Sequence, residues 1–224
     1  TIKKIENIKK KYPRPVIIIF DTPQINKQLF NFYKIYAKII FFDYFGKLIP
    51  NYNIIIFKHH NVRAKNKFFV GLKYINLKNK VLNLKILNKK IEKKILISLG
   101  GGDIKNQSIR IAKYLIKKGY KVTILYGPTF KSKLNFKDSN LKIYYNSKKY
   151  LKIFNLHTNI ITNGGSTMFE AVYLNKNVYV LPQSLKEANL AKLFNEKKLI
   201  IDYGFNKFYK LNLNIFNSIK KSNQ

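Results

Sequence analysis

The sequence predicts an α/β protein in which parallel strands alternate with helices. Short apolar runs rich in Val, Ile, Phe and Tyr recur along the chain, and stretches with helical spacing of apolar residues separate them. Two of these runs lead directly into glycine-rich turns, GGGD at 100–103 and NGGS at 163–166. Hydrophobic residues make up 46% of the 224 residues, so the chain can fill one large domain or two small ones.

The first part of the chain contains predicted strands that end in acids. VIIIF is a continuous apolar run before Asp21, which is typical of a buried parallel strand, and a second strand ends before Asp43. Residues 69–87 show no regular period, and IEKK at 91–94 has the composition of a linker. The predicted elements are strands at 16–20, 38–42 and 53–57 and a helix at 24–36.

The second part has clearer boundaries. KILISL at 94–99 runs into GGGD, and the amphipathic helix that follows ends at Gly119, a residue suited to the position after a helix. Pro182 ends the strand NVYVL. The predicted strands are 94–99, 122–126, 141–145, 159–162, 177–181 and 199–202, and the predicted helices are 106–118, 147–155, 167–174, 187–196 and 207–224.

The formal net charge of +34 does not indicate a dedicated nucleic-acid partner. Among the 44 basic residues, only Arg14, Arg63 and Arg110 are arginines. Proteins that recognise nucleic-acid phosphates favour arginine, because its guanidinium group forms two parallel hydrogen bonds to a phosphate. The lysines are spread along the whole chain, beside many Asn, Ile, Phe and Tyr residues, which indicates a global bias in composition. Such a surface is compatible with peripheral contact with an anionic membrane.

Several classes of site and location are disfavoured by what the sequence lacks. There is no Cys, and therefore neither a disulfide framework nor a thiolate nucleophile. No apolar run reaches the roughly 18 to 20 residues of a membrane span, and the first residues do not resemble a signal peptide. We therefore expect a cytoplasmic protein, with no metal and no cofactor.

The two glycine-rich turns are candidate anion sites. A strand, a glycine turn and a helix place free backbone N–H groups at a helix N-terminus, where the helix dipole favours negative charge. Neither turn is a Walker A loop or a G-x-G-x-x-G fingerprint. A purely structural role for each turn remains an equal alternative. The candidate residues are Gly100, Gly101, Gly102, Gly164, Gly165, Ser166 and Thr167.

Glu170 lies one helical turn beyond Ser166 and can project toward the same mouth. A carboxylate there repels phosphate, but it can accept hydrogen bonds from a diol such as ribose while the turn holds a diphosphate. The alternative is an ordinary acid that faces solvent.

The segment TNIITNGGSTMFEAVYLNKNVYVLPQSLKEAN at 158–189 resembles the nucleotide-sugar half of GT-B enzymes such as the peptidoglycan N-acetylglucosaminyltransferase. The resemblance implies two Rossmann-like lobes with a cleft between them and a UDP-sugar substrate. It also implies that Glu170 binds ribose and that the turn binds diphosphate. The further substrate-binding candidates in this segment are Asn163, Glu187 and Asn189.

KILISLGGGDIKNQSIRIAKYLIKKGYKVTILYGP at 94–128 resembles a second, narrower family: the UDP-2,4-diacetamido-2,4,6-trideoxy-β-L-altropyranose hydrolases and the related spore-coat polysaccharide biosynthesis proteins. The shared pattern is L-G-G-x-D-x-x-N, which adds Asp103 and Asn106 to the substrate-binding candidates. VGLKYINLK is similar to the linker of that family, with Lys78 where arginine is usual.

The family's Gly-x-Gly-His segment, which carries its proposed catalytic base, has no counterpart here, so no catalytic residue is assigned. His59, His60 and His157 lie elsewhere in the sequence. We expect that about one βαβ unit is absent from the N-terminal lobe. The expected domains are therefore a partial lobe with linker at 1–88 and a nucleotide-sugar lobe at 89–224.

The expected function is a UDP-sugar hydrolase of surface-polysaccharide or nonulosonic acid biosynthesis that cleaves UDP from an amino sugar. Two alternatives stay open: a UDP-sugar glycosyltransferase of the GT-B class, and a binding protein that has lost catalysis. The sequence leaves the sugar, the acceptor and the oligomeric state undetermined.

Overall fold

The computed structural model describes residues 6–7, 10–11, 17–21, 25–42, 55–57, 68–70, 74–86, 93–101, 103, 106–130 and 136–211. The chain folds into two compact units, residues 1–76 and 77–224. No helix within these described ranges is both long enough and apolar enough to cross a membrane.

The first unit contains a four-stranded parallel sheet in the order β1-β2-β3-β4. Its small core joins the sheet to one helix through Phe30, Ile39 and Phe41. Asn26 begins the helix, because its side chain accepts hydrogen bonds from the N–H groups of Gln28 and Leu29. The elements are β1 (Ile17–Asp21), α1 (Lys27–Tyr36), β2 (Lys38–Phe42), β3 (Ile55–Phe57) and β4 (Phe68–Val70).

The second unit contains a six-stranded parallel sheet in the order β10-β9-β8-β5-β6-β7. The strands are β5 (Lys94–Ser98), β6 (Lys121–Tyr126), β7 (Leu141–Tyr145), β8 (Asn159–Thr162), β9 (Asn177–Val180) and β10 (Ile201–Asp202). The helices are α2 (Asn79–Leu82), α3 (Gln107–Lys117), α4 (Tyr150–Asn155), α5 (Ser166–Tyr173), α6 (Leu185–Glu196) and a 3₁₀ helix (Phe208–Lys210).

The strand order reverses between β5 and β8, which pair directly. The chain fills one half of the sheet outward from β5 and then returns to β8 to fill the other half. Loops at the carboxyl ends of two such strands diverge to opposite faces, and they leave a crevice where ligands bind in open α/β sheets. Both glycine-rich turns, after Leu99 and after Asn163, begin at this point.

The core of the second unit explains why these strands read as continuous apolar runs. Ile95 and Ile97 of β5 are fully buried, and the apolar face of α3, with Ile111 and Leu115, packs in the same cluster. Buried parallel strands are covered on both faces, so their sequences are apolar throughout rather than alternating.

The predicted α/β class is confirmed. The prediction that the VIIIF run is a buried strand is wrong for β1, an edge strand in which Ile17 and Ile19 are 55% and 58% exposed. The other differences concern element ends and two short elements. α6 begins two residues earlier than predicted, because the Ser184 hydroxyl accepts a hydrogen bond from Glu187 N–H at 3.3 Å and caps the helix. β4 and α2 lie where the sequence shows no period, since three or four residues are too few to display one. Of the predicted helix at 207–224, the described part is the short 3₁₀ helix. Gly102, Asp43, His59 and His60 lie outside the described residues.

Candidate functional site

A cavity of about 360 Å³ opens at the carboxyl edge of the six-stranded sheet, within residues 77–224. It spans the switch point between β5 and β8, so the topology places it where a ligand site is expected. Five candidates from the sequence line it: Gly100, Gly101, Ser166, Thr167 and Glu170. The other lining residues are Lys78, Ser98, Leu125, Tyr126, Gly127, Pro128, Asn146, Ser147, Tyr150 and Phe154.

Glu170 is a buried carboxylate in this cavity, with 7% of its surface exposed. It lies on α5, one turn from the helix N-terminus, as the spacing from Ser166 predicts. Burial raises the pKa of its carboxyl group, and the charge of Lys78 partly opposes that rise. The alternative of an ordinary solvent-facing acid is therefore wrong.

Lys78 lies over the same corner of the cavity. Its Nζ atom is 3.9 Å from Glu170 Oε1 and 5.4 Å from the centroid of the Tyr150 ring. The Lys78 side chain is 71% exposed, so solvent screens its attraction to Glu170 strongly. The Tyr150 hydroxyl is buried and has no hydrogen-bond partner within the described residues. A buried hydroxyl without a partner is costly, and a polar ligand group in the cavity would satisfy it.

The N-terminus of α5 is open toward the cavity. Its N-cap residue, Gly165, has no side chain to satisfy the first N–H groups of the helix, and Ser166 and Thr167 add two hydroxyls there. These amide and hydroxyl donors, together with the positive end of the helix dipole, suit an anionic group.

The neighbouring candidates are held in a hydrogen-bonded network. Asn163 Nδ2 donates to Glu187 Oε1 at 2.7 Å, and Glu187 Oε2 accepts from Gln183 N–H at 2.7 Å. The Gln183 side-chain amide in turn donates to Leu99 O at 3.3 Å. Gly164 packs so closely on α6 that an added Cβ would overlap the carbonyl oxygen of Glu187. Both carboxylate oxygens of Glu187 are therefore occupied, and the network joins the two glycine turns.

The Asp103 carboxylate binds the first N–H groups of α3. Its Oδ1 and Oδ2 atoms accept hydrogen bonds from Gln107 N–H and Ser108 N–H, each at 2.9 Å, and only 2% of its surface is exposed. Asp103 thus caps α3. Asn106 and Asn189 are exposed and lie outside the cavity lining.

Most of the lining residues that the sequence missed share one position in the fold. Gly127 and Pro128 follow β6, and Asn146 and Ser147 follow β7, so each pair lies at the carboxyl end of its strand. Tyr126, the last residue of β6, stacks on Phe130 with ring centroids 3.7 Å apart. Burial, followed by the charge of Asp103, raises the pKa of the Tyr126 phenol, which therefore remains a hydrogen-bond donor.

No group of three or more His, Asp or Glu side chains in the described part of the chain could hold a metal ion. His157 lies away from the carboxyl edge. Its Nδ1 atom is 2.7 Å from Ile153 O and its Nε2 atom is 3.1 Å from Thr123 Oγ1.

The chain matches no protein-family model. It is 30% identical over 210 residues to the uncharacterized protein MJ1062 of Methanocaldococcus jannaschii, in an alignment that covers 82% of this chain and 42% of that protein. The chain therefore spans about two fifths of the length of this curated relative.

Solved structures of sugar transferases share the fold. The spinosyn rhamnosyltransferase SpnG in complex with thymidine diphosphate has a TM-score of 0.64 at 13% identity, covering 98% of this chain and 68% of that one. The glycotransferase of kitacinnamycin has a TM-score of 0.60 at 9% identity, covering 97% and 70%. The Streptomyces sp. SF2575 glycosyltransferase SsfS6, also with thymidine diphosphate, has a TM-score of 0.52 at 9% identity, covering 88% and 59%. The chain has the α/β fold with parallel sheets of the GT-B glycosyltransferases.

Proposed function

We propose that residues 77–224 bind the nucleoside diphosphate of a sugar donor and that the protein takes part in glycosyl transfer. The observation that carries this proposal is the buried Glu170 carboxylate, one turn from the open N-terminus of α5, in the switch-point cavity. The carboxylate suits a ribose diol, and the amides and hydroxyls of Gly165, Ser166 and Thr167 suit the diphosphate. Leu125, Tyr150 and Phe154 supply apolar surface for a base.

The structural neighbours favour transfer to a sugar or other hydroxyl acceptor over hydrolysis, since they are sugar transferases. The segment that resembles the UDP-sugar hydrolases centres on Asp103, and this residue caps α3. This capping role does not involve the acceptor, so Asp103 does not favour water over a sugar. Hydrolysis of a UDP-amino sugar remains the second candidate, on the L-G-G-x-D-x-x-N resemblance alone.

In either reaction the bond between the anomeric carbon and the diphosphate oxygen breaks, and the nucleoside diphosphate leaves with the electron pair. The acceptor oxygen forms the new bond and loses its proton. Donors already aimed at the diphosphate at the α5 N-terminus stabilise the charge that develops on the leaving group.

Calorimetric titration of the full chain with UDP and with thymidine diphosphate tests the proposal. We expect saturable binding of at least one of them, and we expect Glu170→Ala to weaken it by about 1–3 kcal/mol, the usual cost of losing hydrogen bonds to a charged group.

Glu196→Ala is the matched control, because Glu196 is an exposed acid at the end of α6 and lies outside the cavity. Its affinity should equal that of the unaltered chain. Equal binding by Glu170→Ala and the unaltered chain would remove Glu170 from the site, and no binding of either nucleotide would refute the proposal. Incubation with a UDP-sugar, with and without added acceptor sugars, then separates transfer from release of free sugar by hydrolysis.

A further inference from the structure

A second cavity, of about 330 Å³, lies at the amino edge of the same six-stranded sheet. Lys94 and Lys121, the first residues of β5 and β6, open onto it. The candidate site described above lies at the opposite ends of these strands, and Lys94 and Ser98 are separated by about 13 Å of extended chain. The amino-edge cavity is therefore a separate feature. Its lining residues are Lys94, Lys121, Val122, Thr123, Ser139, Asn140, Lys142, Tyr144, Ile153, Leu156 and His157.

Three lysines in this cavity share one face of the sheet. Lys94 is the register partner of Lys121 on the neighbouring strand, and Lys142 is the register partner of Thr123, two residues beyond Lys121. Side chains at i and i+2 of a strand lie on the same face, and neighbouring strands are about 4.8 Å apart. Like charges placed side by side in this way destabilise a sheet.

No acidic side chain is present among the described residues that line this cavity. Asp138 adjoins the lining residue Ser139 in sequence, but its Oδ1 atom accepts a hydrogen bond from Asn140 N–H at 2.8 Å within its own turn. The chain as a whole is rich in lysine, and strand register brings three of its lysines to one concave space on three neighbouring strands.

The remaining residues that line the amino-edge cavity include both polar and apolar side chains. Thr123 is held by His157, whose other ring nitrogen, Nδ1, donates to Ile153 O. Tyr144 and Leu156 are exposed beside the lysines. The cavity is at the lower end of the roughly 300–1,000 Å³ range of small-molecule sites. It is thus large enough for a charged head with a small organic part.

We propose that the amino-edge cavity binds a phosphate ester that carries two or more negative charges. Lys94, Lys121 and Lys142 contact the phosphate oxygens, and Tyr144 and Leu156 contact the organic part. The same chemistry occurs in small soluble phosphate monoesters and in the headgroup of phosphatidic acid. This site does not depend on the proposed transferase function.

The test is calorimetric titration of the full chain with glycerol 3-phosphate and with inorganic pyrophosphate. The site variant combines Lys94→Gln, Lys121→Gln and Lys142→Gln. The control variant combines Lys80→Gln, Lys192→Gln and Lys197→Gln, which remove the same charge from exposed positions outside both cavities.

We expect saturable binding by the unaltered chain and by the control variant, and at least tenfold weaker binding by the site variant. Equal affinities in the two variants would show that binding does not depend on the amino-edge lysines and would overturn the proposal, as would no saturable binding by the unaltered chain. If the triple site variant does not fold, Lys121→Gln alone replaces it, with a loss of threefold or more expected and an unchanged affinity overturning the proposal.

Co-sedimentation with vesicles separates the two sources of the ligand. Binding to phosphatidic acid–phosphatidylcholine vesicles that the site variant loses, and that pyrophosphate competes away, identifies a lipid headgroup. Binding of the phosphate probes without vesicle binding identifies a soluble ester. If the site and control variants bind vesicles equally well, the amino-edge cavity is not the membrane contact.

Discussion

Glu170 is a buried residue, and burial disfavours the charged form of its carboxyl group. Its pKa is raised by desolvation, and the neighbouring Lys78 offsets only part of that effect. An acid whose pKa is higher in the folded than in the unfolded state binds more protons when folded, so stability falls as the pH rises from the unfolded pKa through the folded one. The protein therefore gives up stability at neutral pH to keep this carboxylate in the cavity.

Glu170→Gln should remove this penalty. We expect the Tm of the variant to exceed that of the unaltered chain at about pH 7, with the difference vanishing toward about pH 3, where Glu170 is protonated in both states. Thermal unfolding across this range measures it. A lower Tm for Glu170→Gln at neutral pH would mean that the pair with Lys78 outweighs the cost of burial.

Gly164 and Gly165 are adjacent but have different roles. At Gly164 an added Cβ would overlap the backbone of α6, whereas at Gly165 it would lie 3.4 Å from a movable side-chain atom, Asn163 Oδ1. The backbone of Gly165 is extended, which alanine also adopts. Gly164 is thus required for packing, and Gly165 keeps the helix end bare.

Gly164→Ala should lower the free energy of unfolding by about 1–3 kcal/mol through overpacking. Gly165→Ala should unfold at nearly the same temperature as the unaltered chain but bind UDP more weakly, because its methyl group covers the first amides of α5. Thermal unfolding and nucleotide titration of both variants compare the two effects. Equal loss of stability in both would show that both glycines serve packing.

At the scale of elements, α3 depends on one side chain. Asp103 receives two N–H groups from the first turn of α3, and its φ of 42° is one that Asn and Asp tolerate better than most residues. This explains why the sequence places an acid directly after a glycine turn without requiring a ligand for it.

Asp103→Ala should reduce the free energy of unfolding by about 1–2 kcal/mol, the usual cost of losing an N-cap, and leave UDP affinity nearly unchanged. Asp103→Asn should recover most of the stability, since the Asn side-chain oxygen accepts a hydrogen bond and Asn tolerates positive φ. Urea unfolding and calorimetry of the pair check both statements. If Asp103→Asn has normal stability but a much lower affinity for UDP, Asp103 contacts the nucleotide.

At the scale of the whole molecule, the two units have separate cores. One cluster contains Phe30 and Phe41 of the first unit, and the other surrounds Ile97 and Ile124 of the second. Every described residue that lines either cavity lies in 77–224. The donor half of the proposed function should therefore be separable from the rest of the chain.

Residues 77–224 expressed alone should unfold cooperatively and bind UDP within about threefold of the full chain, because domains with their own core fold independently. Circular dichroism and titration of the fragment measure this. A folded fragment that does not bind would mean that the first unit contributes to the site.

Periodicity and composition in the sequence were enough to predict the α/β class, nearly all the strands and the position of Glu170 one turn from Ser166, since strand burial and helical spacing are local properties. The tertiary structure decided which candidates reach the cavity. Asp103 and Glu187 were ligand candidates through the family resemblance, but they are bound to backbone and side-chain groups that only packing brings near. Lys78 and Tyr150, 72 positions apart in the sequence, meet in one corner for the same reason. Strand order, which no local pattern encodes, placed the two glycine turns side by side.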